Sequence, residues 1–81
     1  MKAIINIGLK KGVLDSAGKA THHTLDRLGF KEIVNDVRIA KQVIIQLNST
    51  NKEEAMAEVT KMCEKLLANT VIEDYEIIIK E

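Results

Sequence analysis

The sequence predicts an α+β domain: an antiparallel sheet with two helices on one face, ferredoxin-like or close to it, with a long bent middle strand. Three observations carry this. The two ends of the chain alternate apolar and polar residues with a period of two. Two inner segments repeat apolar residues with the helical period and begin at capping residues. Between those segments lies one extended apolar stretch without a turn signal, giving the order β-α-β(β)-α-β.

In residues 2–9, Ala3, Ile5, Ile7 and Leu9 fall on one side and Lys2, Ile4, Asn6 and Gly8 on the other, the pattern of a strand with one buried face. After a connection from Lys10 to Asp15, a helix is expected from about Ser16 to Leu28. Asp15 or Ser16 can cap it, and Gly29 can take the left-handed conformation that ends it. Its core stripe would be Ala17, Thr21, Thr24, Leu25 and Leu28, with His22 and His23 facing away.

The stretch from Glu32 to Asn48 reads as strand. A two-residue hairpin at Ala40-Lys41 would place Val43, Ile45 and Leu47 on the face opposite Val37 and Ile39. An unbroken strand keeps all five together, interrupted only by Lys41, so parity favours one long bent strand. At about 3.3 Å per residue it would span ~55 Å, too far for one small domain to cover, and its overhang would offer unpaired backbone to a second copy. Thr50 and Glu53 then suit a capping box, and a second helix is expected from about Asn51 to Ala68. Its inner face would be Ala55, Val59, Met62, Cys63 and Leu66, with Asn69 as terminator. Residues 71–80 alternate again, with Tyr75, Ile77 and Ile79 on one side.

With 81 residues the chain is one domain, residues 1–81, with a small core. Domains of this size usually need a disulfide, a metal or a second subunit. Cys63 is the only cysteine and cannot form an internal disulfide. The adjacent His22 and His23 have no cysteine at metal-ligand spacing, so no metal site is expected and oligomerisation remains. The 12 basic and 12 acidic residues balance, which speaks against nucleic acid as a partner. Residues 1–40 carry seven basic against four acidic side chains, a mild polarity that could orient a partner. No apolar run approaches the ~20 residues of a membrane span, no signal peptide is legible, and a lone thiol fits a reducing cytoplasm.

No catalytic constellation stands out. His22-His23 is expected on an exposed helix face and Cys63 buried on the inner stripe of helix two. Gly8, Gly12, Gly18 and Gly29 are too scattered to cradle phosphate. Asp74 and Glu76 share a strand face as solvated carboxylates. Phe30 and Tyr75 are too few to stack nucleic-acid bases. One pattern points to contact instead. Ile4, Ile44 and Ile78 each sit on the outer face among polar neighbours, one per strand, as a contact patch would.

Three segments carry more than local chemistry: Val13-Leu14-Asp15-Ser16-Ala17-Gly18, Asp36-Val37-Arg38-Ile39-Ala40-Lys41, and Met62 through Tyr75 with its Cys63, Leu66-Leu67-Ala68-Asn69 and Val71-Ile72-Glu73. Here the chain resembles the PurS family, the small subunits of phosphoribosylformylglycinamidine (FGAM) synthase. That family carries a V-L-D-P-x-G turn, a D-V-R-x-G-K strand and a helix ending C-x-x-L-L-A-N-x-V-I-E-x-Y/F. Ser16-Ala17 replaces the Pro-Gln type turn, and Ala40 stands where the family usually has glycine. Alanine does not favour positive φ, which agrees with an unbroken strand there.

The resemblance implies a non-catalytic subunit of an ATP-dependent ligase of purine biosynthesis. The complex converts formylglycinamide ribonucleotide, glutamine and ATP to the amidine. ATP and Mg would belong to a large PurL-type synthetase subunit, and a PurQ-type glutaminase would release ammonia. The small subunit, a homodimer or tetramer holding no cofactor itself, would join the two and assist ammonia transfer. At the family motifs, Asp36, Arg38, Lys41, Asn69 and Thr70 become candidate contact residues beside Ile4, Ile44 and Ile78. The alternative, from element order alone, is a regulatory ferredoxin-like module that binds a small molecule.

Overall fold

Strand β1 (Lys2–Leu9) is the centre of a three-stranded antiparallel sheet in the order β2-β1-β3, flanked by β2 (Ala40–Gln46) and β3 (Glu73–Lys80). The structure, a computed structural model, describes all residues from Met1 to Glu81. Helix α1 (Ser16–Leu25) lies between β1 and β2, and α2 (Lys52–Met62) between β2 and β3. Each helix runs on through a wider π turn, Asp26–Phe30 and Cys63–Leu67.

The alternation of β1 translates directly into burial. Ala3, Ile5 and Ile7 are buried, and the register places them opposite Ile45, Val43 and Lys41 on β2 and opposite Ile79, Ile77 and Tyr75 on β3. Over this face lies α2 with the π turn that continues it, the helix contributing Ala55 and Val59 and the turn Cys63, at strict i, i+4 spacing. The predicted inner face of α2 is corrected at two positions: Met62 and Leu66 are exposed, and Leu67 packs against the core instead. The next position on the i, i+4 row after Cys63 is Leu67, which is why the stripe runs there. Tyr75 ties the helix end to β3, its hydroxyl donating to Glu64 Oε2 at 2.7 Å. That bond, aided by desolvation, pushes the phenol up to about 12.

The caps are partly as expected. Asp15 caps α1, and Gly29 ends the helical stretch at φ 101°, which favours glycine. At α2 the cap is Asn51 rather than Thr50: its side chain accepts from the Glu54 backbone N–H at 3.1 Å.

Three further expectations are corrected. The middle strand is short: β2 covers Ala40–Gln46, while Glu32 and Ile33 lie in the turn that follows the first helix. Its pairing with β1 ends at Gly8↔Ala40, because β1 turns away after Leu9 and no neighbour remains to form a ladder with residues 34–39. Second, only α2 covers the sheet. No residue of α1 joins the buried cluster or the apolar side chains packed against it. Third, the predicted stripe of α1 is therefore open: Ala17, Thr21, Thr24 and Leu28 are exposed and only Leu25 is half-buried. Thr21 and Thr24 donate back to the carbonyls of Ala17 and Ala20.

The result is an elongated molecule. Its radius of gyration is 16.1 Å and its extents are 48 × 27 × 14 Å. A compact domain of this length would have a radius of about 12 Å. Large apolar side chains stay outside the core, among them Leu28, Phe30, Ile33 and Ile39 at 66, 48, 84 and 47% exposure. Such a surface suits a chain completed by contact with other protein.

Candidate interaction surface

The outer face of the sheet, opposite α2, is built from the even-numbered residues of all three strands. The register arranges them in rows across the sheet. Lys2 lies between Gln46 and Lys80, Ile4 between Ile44 and Ile78, Asn6 between Gln42 and Glu76, and Gly8 between Ala40 and Asp74. The three isoleucines noted in the sequence therefore form one continuous apolar row. Ile44 is 55% and Ile78 39% exposed. Beside them runs a polar ladder: Gln42 Nε2 donates to Asn6 Oδ1 at 2.8 Å, and Asn6 Nδ2 donates to Glu76 Oε1 at 2.9 Å. These bonds order the face and hold the Glu76 carboxylate in place.

The other candidate residues have different surroundings. The Arg38 guanidinium turns onto its own chain and donates to the carbonyls of Leu9, Lys10 and Val13 at 3.3, 3.2 and 3.2 Å. Lys41 lies on the α2 side of the sheet and pairs with Glu73 at 3.8 Å. Asn69 is engaged in its own turn: its Oδ1 accepts from Val71 N at 3.2 Å and its N–H donates to Glu73 Oε1 at 2.6 Å. Asp36 and Thr70 are exposed. The isoleucines are thus brought together, while Arg38, Lys41 and Asn69 hold the fold's own connections.

A joint that sequence reasoning missed fastens α1 to the rest. The buried Asp15 carboxylate accepts from Gly18 N at 2.8 Å through Oδ1 and from Ile39 N at 2.7 Å through Oδ2. One side chain thereby caps the helix and holds the segment leading into β2. At Gly18 the carbonyl of Val37 approaches so closely that no Cβ would fit. The signal was present as Asp15 and Gly18 in the first motif and Val37-Arg38-Ile39 in the second, but nothing in the chain order says that they meet.

The N–H groups of Gly18 and then Ile39, with the Arg38 charge nearby, hold the Asp15 carboxyl below its ordinary 3.8. A depressed carboxyl favours the folded joint above the unfolded value and withdraws that support as pH falls through the folded one. Thermal melts should therefore show stability lost on acidification below about pH 4, and Asp15→Asn should remove this part of the dependence. Equal acid profiles for the parent and Asp15→Asn would show that the joint does not contribute.

Catalytic groups are sparse. Cys63 is fully buried, and desolvation, with Glu64 nearby, raises its thiol above the ordinary 9.0. His22 Nε2 stands 3.7 Å from Asp26 Oδ1, one turn apart on the first helix. No group of three or more His, Cys, Asp or Glu side chains is arranged to hold a metal. No helix is long and apolar enough to cross a membrane.

The family model of PurS, phosphoribosylformylglycinamidine (FGAM) synthase, matches residues 2–81. The chain belongs to the PurS family. It is 44% identical over 80 residues to the FGAM synthase subunit PurS of Methanocaldococcus jannaschii, covering 99% of this chain and 95% of that one. The Bacillus subtilis PurS subunit is 41% identical, with 99 and 93% covered. The crystal structure of the M. jannaschii PurS, described as a subunit of formylglycinamide ribonucleotide amidotransferase, superposes with a TM-score of 0.89 over 99% of this chain and 95% of that one. A chain in the structure of PurLQS from Thermotoga maritima superposes with a TM-score of 0.78 at 32% identity, covering 95 and 93%. As a PurS chain this protein is a subunit of the purine-biosynthetic FGAM synthase. The PurS motifs named above are largely structural here. Asp15, Gly18 and Arg38 build the α1 joint, and Asn69 with Glu73 builds the turn into β3.

Proposed function

We propose that this PurS chain is the non-catalytic connecting subunit of FGAM synthase. In this reading it joins a glutaminase and an ATP- and Mg-dependent synthetase in the cytoplasm and helps ammonia pass between them. It does so as a homo-oligomer. The observation that carries the reading is full-length membership of a family with a chain in the PurLQS structure. An elongated molecule with apolar side chains outside its core suits a connecting role.

The test supplies the synthetase with either glutamine or free ammonia. Glutamine-dependent formation of the amidine should require this chain as well as the glutaminase, whereas ammonia-dependent formation should not. The three proteins should co-elute in the presence of glutamine and ADP. Equal glutamine-dependent rates with and without this chain would overturn the proposal.

A further inference from the structure

We propose that the outward face of α1 docks onto a carboxylate-bearing apolar surface of a different protein, one of the two that this chain joins. This deepens the connecting role of the preceding reading and rests on it. Nothing within the chain covers this helix. No residue of α1 belongs to the buried core cluster, and a helix of 10 residues is marginal in water without a packed face. Its inward side is set by Gly18, which meets the Val37 carbonyl, and by the half-buried His22 and Asp26 on the following turns. On the opposite side Ala17, Ala20, Thr24 and Leu28 are exposed. These side chains are mostly short, so another backbone can come close. The hydroxyls on this side are already satisfied, since Thr21 and Thr24 donate to the carbonyls of Ala17 and Ala20. Covering the face with protein therefore strands no hydroxyl donor.

Charge defines the chemistry of the occupant. From residue 11 to residue 31 the exposed charged side chains are Lys11, Lys19, Arg27 and Lys31, all of them positive. The two carboxylates of this span are turned inward: Asp15 is buried in the joint, and Asp26 is half-buried beside His22. None of the four cations forms a salt bridge within the chain. Lys19 and His23 border a hollow shared with Asp26 and Asp36, but neither reaches pairing distance of those carboxylates. An apolar strip flanked by unpaired cations attracts and orients an acidic surface. The α2 helix of a second copy does not supply one. Its exposed side mixes both signs, and Glu58 is already paired with Lys61 at 3.4 Å. The occupant is therefore a foreign protein surface of net negative charge.

The experiment measures binding of the whole chain to the purified glutaminase and synthetase subunits, each alone and both together, with glutamine and ADP present. The parent should bind, and bind more weakly as salt is raised. Lys19→Glu combined with Arg27→Glu should raise the dissociation constant for one of the two subunits by about tenfold or more. Lys52→Glu combined with Lys65→Glu makes the same change in net charge on the other helix, and should bind within about twofold of the parent. Circular dichroism checks folding. Where charge reversal loosens the short helix, Lys19→Gln combined with Arg27→Gln removes the attraction while keeping good helix formers, and should weaken binding to the same subunit by a smaller factor. Sedimentation should show unchanged self-association in every variant. Variants of α1 that bind both subunits like the parent, an α2 pair that loses as much, or α1 variants whose defect lies in self-association would each overturn the proposal. A parent that binds neither subunit would overturn it together with the connecting role. A parent that binds, with α1 variants unchanged, overturns this surface alone and leaves the connecting role standing.

Discussion

Gly18→Ala is expected to lower the melting temperature by about 15 °C, for a loss of about 3 kcal/mol. The added methyl would run into the carbonyl of Val37 and stand 2.8 Å from Asp15 Oδ2. Neither neighbour can yield cheaply. One is backbone, and the other is the carboxylate that caps α1 and holds Ile39 N. To admit the methyl, the segment 36–39 must move off the helix and give up those bonds. Gly29→Ala is the control. Gly29 has open space around it and φ +101°, so alanine there costs only the left-handed conformation, roughly 1–2 kcal/mol. Amide exchange separates the two variants. The Ile39 N–H should lose protection in Gly18→Ala and keep it in Gly29→Ala. Retained protection and a parent-like melt in Gly18→Ala would mean that the close approach is not maintained in solution.

Ile5→Ala is expected to cost about 2–5 kcal/mol in denaturant unfolding. Ile5 is fully buried at the middle of the central strand, opposite Val43 and Ile77 and beneath α2. With only ten buried residues, the core has few neighbours able to collapse into the vacated space. For a chain of this size, with a total stability of a few to about 10 kcal/mol, the variant is close to unfolding. Ile44→Ala removes the same atoms one row away on the opposite face, where the side chain is 55% exposed. It should cost under about 1 kcal/mol, measured at concentrations low enough to keep copies apart. Equal losses at the two positions would mean that the faces are not divided as the register places them.

These contrasts show what was legible. The period of two in residues 2–9 and 73–80 named the buried side of both strands, because one face of an antiparallel pair must hide from water wherever a helix covers it. Asp15 and Gly29 bounded the first helix, because cap and positive-φ chemistry act within a few residues. The isoleucine patch was legible from parity on single strands. Its assembly into a row was not, since register depends on which residues of β1 meet those of β2 and β3.

The errors share one cause. An apolar stripe on α1 and an extended apolar pattern over residues 32–39 each announce burial, yet pattern alone does not name the partner. Within one chain neither finds it, because β1 turns away after Leu9 and α2 alone covers the sheet. Likewise Arg38 looked like a charge offered outward until the fold placed three backbone carbonyls around it. By itself the sequence determined the α+β class, the sidedness of β1 and β3, the caps of the first helix and the family. Only the tertiary structure decided the length of β2, the openness of α1, the Asp15–Ile39 joint and the outer-face rows. The first set rests on periodicity and contacts within a turn. The second rests on contacts between residues far apart in the chain, which local physical chemistry does not specify.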